Sequence, residues 1–284
     1  MRRASFKPLV AAVVLAAVGV SACSSVTAST ATIGVFTAFG AHPARAPMTP
    51  QWSMVGLGDS IPAGYACPGC TPFPELYGRQ LTAATGSAVA VMNLGVGGWT
   101  SADLLRSLDA GQPDAQVVAA SEVVTVTIGA NDFYPALDTY LAGACGGADD
   151  LDCFTPVLPQ LSSTLSAILG RVSELRVGQP TAVLVTGYWD VFPDDDVAAA
   201  VYGPQFSAAS ATLTRAANTI IQTVTERAGS TYVDLFTPFK GVDRQLDPTA
   251  LLADDGDHPS QAGHQLIADL LARADLAPLT LPRA

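Results

Sequence analysis

The chain has 284 residues and a formal charge of -11, with 14 Lys and Arg against 25 Asp and Glu. Nucleic-acid partners need clustered Lys and Arg to displace counterions, and this balance excludes them. The same excess of carboxylates rules out attachment to an anionic membrane through a basic patch.

Arg2, Arg3 and Lys7 precede an apolar run of twelve residues, Leu9–Val20. That run is too short to span a bilayer and has the layout of a secretory leader. It ends in Val20-Ser21-Ala22-Cys23, which resembles a bacterial lipobox, where the cysteine becomes the lipidated first residue of the mature chain. The alternative is an ordinary leader cut at a nearby Ala or Ser. The expected organisation is a lipoprotein signal peptide over 1–22, a flexible Ser-, Thr-, Ala- and Pro-rich tether over 23–50, and one folded domain over 51–284. Without residues 1–22 the chain holds 11 basic and 25 acidic residues, a charge of -14. The protein is thus expected to be exported, as a monomer, either held at the cell membrane by a lipid on Cys23 or released.

Export also accounts for the other cysteines, Cys67, Cys70, Cys145 and Cys153. An oxidising compartment favours disulfides. Of the three possible connectivities the local one is expected, Cys67–Cys70 and Cys145–Cys153, each contributing about 2–3 kcal/mol by loop entropy. No thioredoxin-like βαβ opening surrounds Cys67-Pro68-Gly69-Cys70, as a redox pair would require. The second pair is spaced too widely for a zinc knuckle.

Five short, Val-rich apolar runs follow: Trp52–Leu57, Ala88–Asn93, Val123–Ile128, Ala182–Thr186 and Tyr232–Leu235. They are nearly continuous, as strands buried on both faces should be. Between them lie helical patterns over Phe73–Ala84, Ser101–Ala120, Val157–Val177 and Gln205–Ala228, with His258–Ala274 closing the chain. Leu213, Ala217, Ile220, Ile221 and Val224 recur at helical spacing, as do Leu266, Ile267, Leu270 and Leu271. This alternation predicts an α/β fold, a parallel sheet with helices on both faces and its ligand site at the carboxyl ends of the strands.

The strand ends carry the polar residues. The first run stops at Gly58-Asp59-Ser60, the second at Asn93-Leu94-Gly95-Val96-Gly97-Gly98, the third at Gly129-Ala130-Asn131-Asp132. Asp254-Asp255-Gly256-Asp257-His258-Pro259 precedes the last helix. Singly, Gly-Asp-Ser reads as a turn and Gly-x-Asn-Asp as a helix cap. Together and in this order they resemble the SGNH (GDSL-type) hydrolase family over most of 52–274. Its four signature letters fall on Ser60, Gly95, Asn131 and His258. Ile61 departs from the leucine common in the family.

The resemblance implies a flavodoxin-like three-layer α/β/α fold with a five-stranded parallel sheet, and carboxylic-ester hydrolysis with no metal and no organic cofactor. Elementary chemistry assigns the same roles. A serine hydroxyl is a poor nucleophile until a base takes its proton. Of the three histidines, His42 lies in the tether and His264 inside the last helical pattern, which leaves His258. Asp255 is chosen over Asp254 and Asp257 as its orienting carboxylate on the family's Asp-x-x-His pattern; the other two read as solvated neighbours. Backbone N–H groups at Ser60 and Gly95 and the Asn131 amide are the expected oxyanion hole. Tyr65, Trp99, Phe133, Tyr188, Trp189 and Phe192 are candidates for an acyl pocket. The acidic runs Asp149-Asp150 and Asp194–Asp196 read as solvated loops, with calcium as the alternative. The expected activity is that of a secreted esterase or lipase acting through an acyl-enzyme at Ser60. The alternatives are a cell-envelope carbohydrate O-deacetylase using the same site and a tethered binding protein without turnover.

Overall fold

The computed structural model describes residues 50–203 and 205–279. The leader, Cys23, His42 and the tether up to residue 49 lie outside the described residues. Five strands, β1 (Pro50–Gly58), β2 (Ala88–Gly95), β3 (Val123–Thr127), β4 (Ala182–Thr186) and β5 (Thr231–Val233), form one sheet in the order β2-β1-β3-β4-β5. Every pairing is parallel. The helices are α1 (Ser60–Ala63), α2 (Phe73–Thr85), α3 (Ser101–Ser107), α4 (Pro113–Ala119), α5 (Tyr134–Leu141), α6 (Val157–Leu175), α7 (Asp195–Tyr202), α8 (Phe206–Arg227), α9 (Phe236–Lys240) and α10 (Gln261–Leu271). This is the flavodoxin-like α/β/α arrangement expected from the sequence.

The sheet is the centre of the core because its strands are apolar on both faces. All five residues of β3 are buried, as are Met54, Val55 and Leu57 of β1 and Leu184 and Val185 of β4. Fully burying one such side chain contributes about 1.5–3 kcal/mol. Helices α2 and α10 pack together on one layer, while α6 packs against α3, α4 and α8 in the other. Among the described residues no helix is long and apolar enough to cross a membrane.

The structure corrects some sequence expectations. The helix expected over Ser101–Ala120 is two, α3 and α4, because Pro113 occupies the first turn of α4. Proline donates no N–H and so starts a helix rather than continuing one. The last helix begins at Gln261, capped by the Ser260 side chain accepting from the Gly263 N–H. His258 therefore lies in the loop ahead of it. Helices α5 and α7 have eight residues each and gave no extended periodic signal.

Candidate active site

The register of β1 brings the polar loops together. Gly58, its last residue, pairs with Gly95 on one flank and Thr127 on the other. The loops after β1, β2 and β3 therefore leave the sheet at one level. In a sheet of this order the switch point lies between β1 and β3, where a crevice opens at the carboxyl ends.

Ser60 is the first residue of α1. The preceding Asp59 is buried and caps this turn. Its Oδ1 accepts from the Ile61 N–H at 2.9 Å and its Oδ2 from the Tyr188 hydroxyl. Burial pushes the Asp59 carboxyl up to about 7, against the opposing effect of those hydrogen bonds and of His258. The Asp59–Tyr188 contact spans 129 positions, so nothing local in the sequence pointed to it.

His258 and Asp255 meet as expected. Their contact, His258 Nδ1 to Asp255 Oδ2, measures 2.7 Å, while Asp255 Oδ1 accepts from the backbone N–H groups of His258 (3.0 Å) and Asp257 (3.1 Å). Desolvation opposes the charge on Asp255, but the hydrogen bonds from these N–H groups and the ring outweigh it and hold the carboxyl below its ordinary range. An ionised Asp255 fixes the tautomer with the proton on Nδ1, leaving Nε2 as the acceptor. The loop closes on itself: Ala253 N–H donates to the His258 carbonyl at 2.8 Å and Gly256 N–H to the Ala253 carbonyl at 2.9 Å.

Ser60 and His258 line one cleft of about 350 Å³ together with Tyr65, Gly97, Gly98, Asn131, Tyr134 and Asp257. The Asn131 amide nitrogen donates to the Trp99 carbonyl at 2.9 Å, which orients the group and leaves its second N–H free for another acceptor. Beside it Asp132 accepts from the Ser101 N–H (2.9 Å) and hydroxyl (2.6 Å), clasping the loops after β2 and β3. Asn131 sits within a 3₁₀ turn that has no side-chain cap, so the helix-cap reading of Gly-x-Asn-Asp does not hold.

Gly95 is the one expected oxyanion donor that is not brought to the cleft. Its N–H donates to Asn93 Oδ1 at 3.1 Å, and it lines a separate hollow with Asn93 and Trp99. It is glycine for another reason: a Cβ there would run into the backbone of Pro62 and Ala63. Gly97 and Gly98 take its place in the wall, within a turn closed by the Trp99 N–H donating to the Val96 carbonyl at 3.2 Å. The run Gly95-Val96-Gly97-Gly98 offers three glycines, and only the path of the turn selects among them.

Two more expectations change. Asp257 is no solvated bystander: it lines the cleft, accepts from the Tyr134 hydroxyl at 3.0 Å, and has a carboxyl that burial raises to about 6. Asp194 is buried against Lys240 rather than solvated. Among the described residues no cluster of three potential metal ligands occurs. Of the proposed acyl-pocket aromatics, Tyr65 lines the cleft, with its ring 4.9 Å from that of His258. Tyr188 lines a small recess beneath Ser60, whereas Phe133, Trp189 and Phe192 are buried core residues. His264 is buried in α10, and burial lowers it to about 4, so it stays neutral.

Both local disulfides are present. Cys67–Cys70 closes the loop beyond Tyr65, and Cys145–Cys153 closes the loop between α5 and α6, with Cα separations of 5.5 Å and 4.7 Å.

The fold matches solved structures at low identity. A lipase from a goat rumen metagenome superposes with a TM-score of 0.56 at 18% identity, covering 78% of this chain and 95% of its own. A lipase/acylhydrolase from Enterococcus faecalis gives 0.52 at 21%, covering 78% and 94%. A catalytic mutant of an acetylxylan esterase from Geobacillus stearothermophilus gives 0.56 at 19%, covering 83% and 98%. No curated protein sequence matches the chain. The model of the GDSL-like lipase/acylhydrolase family matches residues 57–266, the span that contains Ser60, Asn131, Asp255 and His258, and the chain belongs to that family.

Proposed function

We propose that the protein is a serine esterase in which Ser60 is the nucleophile, His258 the base and Asp255 the residue that orients it. The observation that carries this reading is the shared cleft: Ser60, Asn131 and an Asp255-bound His258 line one space. Ser60 Oγ attacks the ester carbonyl carbon as its proton passes to His258 Nε2. The carbonyl oxygen, now an anion, is met by the Ser60 N–H, the free Asn131 amide N–H and the N–H groups of the Gly97-Gly98 turn. His258 then returns the proton to the leaving alcohol oxygen. Water, deprotonated by His258, attacks the acyl carbon; the bond to Ser60 Oγ breaks, His258 returns the proton to that oxygen, and the acid leaves.

Within ester hydrolysis the lining favours a short acyl group on a polar alcohol. Among the described residues the cleft is lined by Tyr65, Asn131, Tyr134 and Asp257 rather than by aliphatic side chains, and the recess of about 20 Å³ beside it, which Ile61 and Val191 line, is too small for a long chain. A long acyl chain needs an apolar wall to leave water. On this lining the O-deacetylase reading gains over a lipase reading; the fold is shared equally with a lipase and with an acetylxylan esterase. Export, with a lipid on Cys23, completes the proposal; Cys23→Ala should release the protein from membranes or block its processing.

Ser60→Ala should abolish turnover without unfolding the chain, and an organophosphate should add to Ser60 alone. Retention of more than about a thousandth of the activity would sink the serine mechanism. A binding protein without turnover would not be labelled. On a ladder of nitrophenyl esters, acetate and butyrate should outrun dodecanoate.

A further inference from the structure

The segment Tyr188–Asp194 touches both halves of the site. At one end the Tyr188 hydroxyl donates to Asp59, the neighbour of Ser60. At the other the Asp194 N–H donates to the Gly256 carbonyl at 2.9 Å, inside the turn that carries Asp255 and His258. Gly256 has a φ of +68°, and a Cβ on it would come within 2.8 Å of Val197 Cβ and 3.0 Å of the Asp194 carbonyl oxygen. Only glycine lets the acid–base turn sit this closely on Asp194.

This segment is tied down from within. The Lys240 ammonium, on α9, lies 2.8 Å from Asp190 Oδ2 and in ion-pair contact with the Asp194 carboxylate. No side chain of the three is more than 3% exposed. The other Asp190 oxygen accepts from the Ser210 hydroxyl, the Thr214 hydroxyl at 3.0 Å and the Val191 N–H at 2.9 Å. Buried ion clusters are a poor source of stability, since apolar residues of equal volume often do as well. Apolar residues do not, however, fix two chain positions at a set distance from one cation.

We propose that Lys240 is a positioning residue: through Asp190 and Asp194 it fixes the segment that sets His258 against Ser60. The proposal rests on the esterase reading above and deepens it.

Asp194→Ala is the direct test, because it keeps the backbone N–H that holds the Gly256 turn but frees that residue from Lys240, leaving Lys240 and Asp190 as a balanced pair. Assayed on nitrophenyl acetate and normalised to organophosphate-titrated sites, its kcat should fall roughly 10- to 100-fold with KM nearly unchanged. Its melting temperature should hold or rise, since the surplus buried carboxylate is gone. Asp194→Asn, still able to accept from Lys240, should recover part of the kcat. A normal kcat per titrated site in Asp194→Ala, whatever its melting temperature, overturns the proposal. If Ser60→Ala is inactive in the same series, the esterase reading survives that failure. If Ser60→Ala keeps its turnover, the esterase reading itself fails and takes the positioning role with it.

Discussion

Replacing Asn131 by alanine separates a structural from a catalytic role. The side chain caps no helix; it makes one hydrogen bond, to the Trp99 carbonyl at 2.9 Å. Losing that bond should cost about 1 kcal/mol of stability, within the usual range for a single neutral hydrogen bond. If the second amide N–H meets the developing oxyanion, turnover should fall about 100- to 1,000-fold, equivalent to roughly 3–4 kcal/mol at the transition state. The two quantities are read independently, stability by urea denaturation and kcat on nitrophenyl acetate per titrated site. Asn131→Asp should be worse on both counts. A carboxylate there would face the Trp99 carbonyl oxygen, acceptor against acceptor, and would repel the oxyanion as well. A variant that loses about 1 kcal/mol of stability but keeps kcat within about three-fold would remove Asn131 from the proposed oxyanion hole.

Asp59 should make stability fall with rising pH. Its folded carboxyl holds a proton up to about pH 7 against an ordinary value of 3.8, so the folded state binds more protons between these limits. Stability is therefore highest below pH 4 as far as this group is concerned, and is lost up to about pH 7, with a ceiling of roughly 4 kcal/mol. The melting temperature of Asp59→Asn should decline less between pH 5 and 8 than that of the parent; parallel curves would refute this. Tyr134→Phe leaves Asp257 without its donor, and should raise KM for an acetylated oligosaccharide about 2- to 10-fold while sparing nitrophenyl acetate. Equal effects on both substrates would deny the Tyr134–Asp257 pair a part in binding the alcohol. Reducing both disulfides should lower stability by about 2–3 kcal/mol each without unfolding the sheet, and the thiols should label only after reduction. Native labelling or crossed pairs in a non-reducing peptide map would contradict the local connectivity.

What was legible in the sequence was whatever depends on near neighbours or on burial from both sides. The runs Val123–Ile128 and Ala182–Thr186 were readable as strands because a parallel sheet covered by helices on both faces leaves them no polar face. Asp255 and His258 were readable as a pair because three residues of chain suffice to return the carboxylate to the ring, and Cys145 and Cys153 because eight positions close a short loop. Parallel strands end at one edge, so Ser60 and Asn131 could be expected to converge.

Tertiary structure alone decided the rest. Whether Gly95 or the pair Gly97-Gly98 faces Ser60 depends on the course of a turn anchored by Asn93, near the end of β2, and by Asn131, from the loop after β3. Asp59 and Tyr188 are 129 positions apart, and Lys240 reaches Asp190 across 50. A carboxylate in sequence looks solvated unless its partner is known. That partner is brought near only when the crossover helices stack the segments after β4 and β5 over the same end of the sheet, where burial makes an unpaired charge costly and the ion pair necessary.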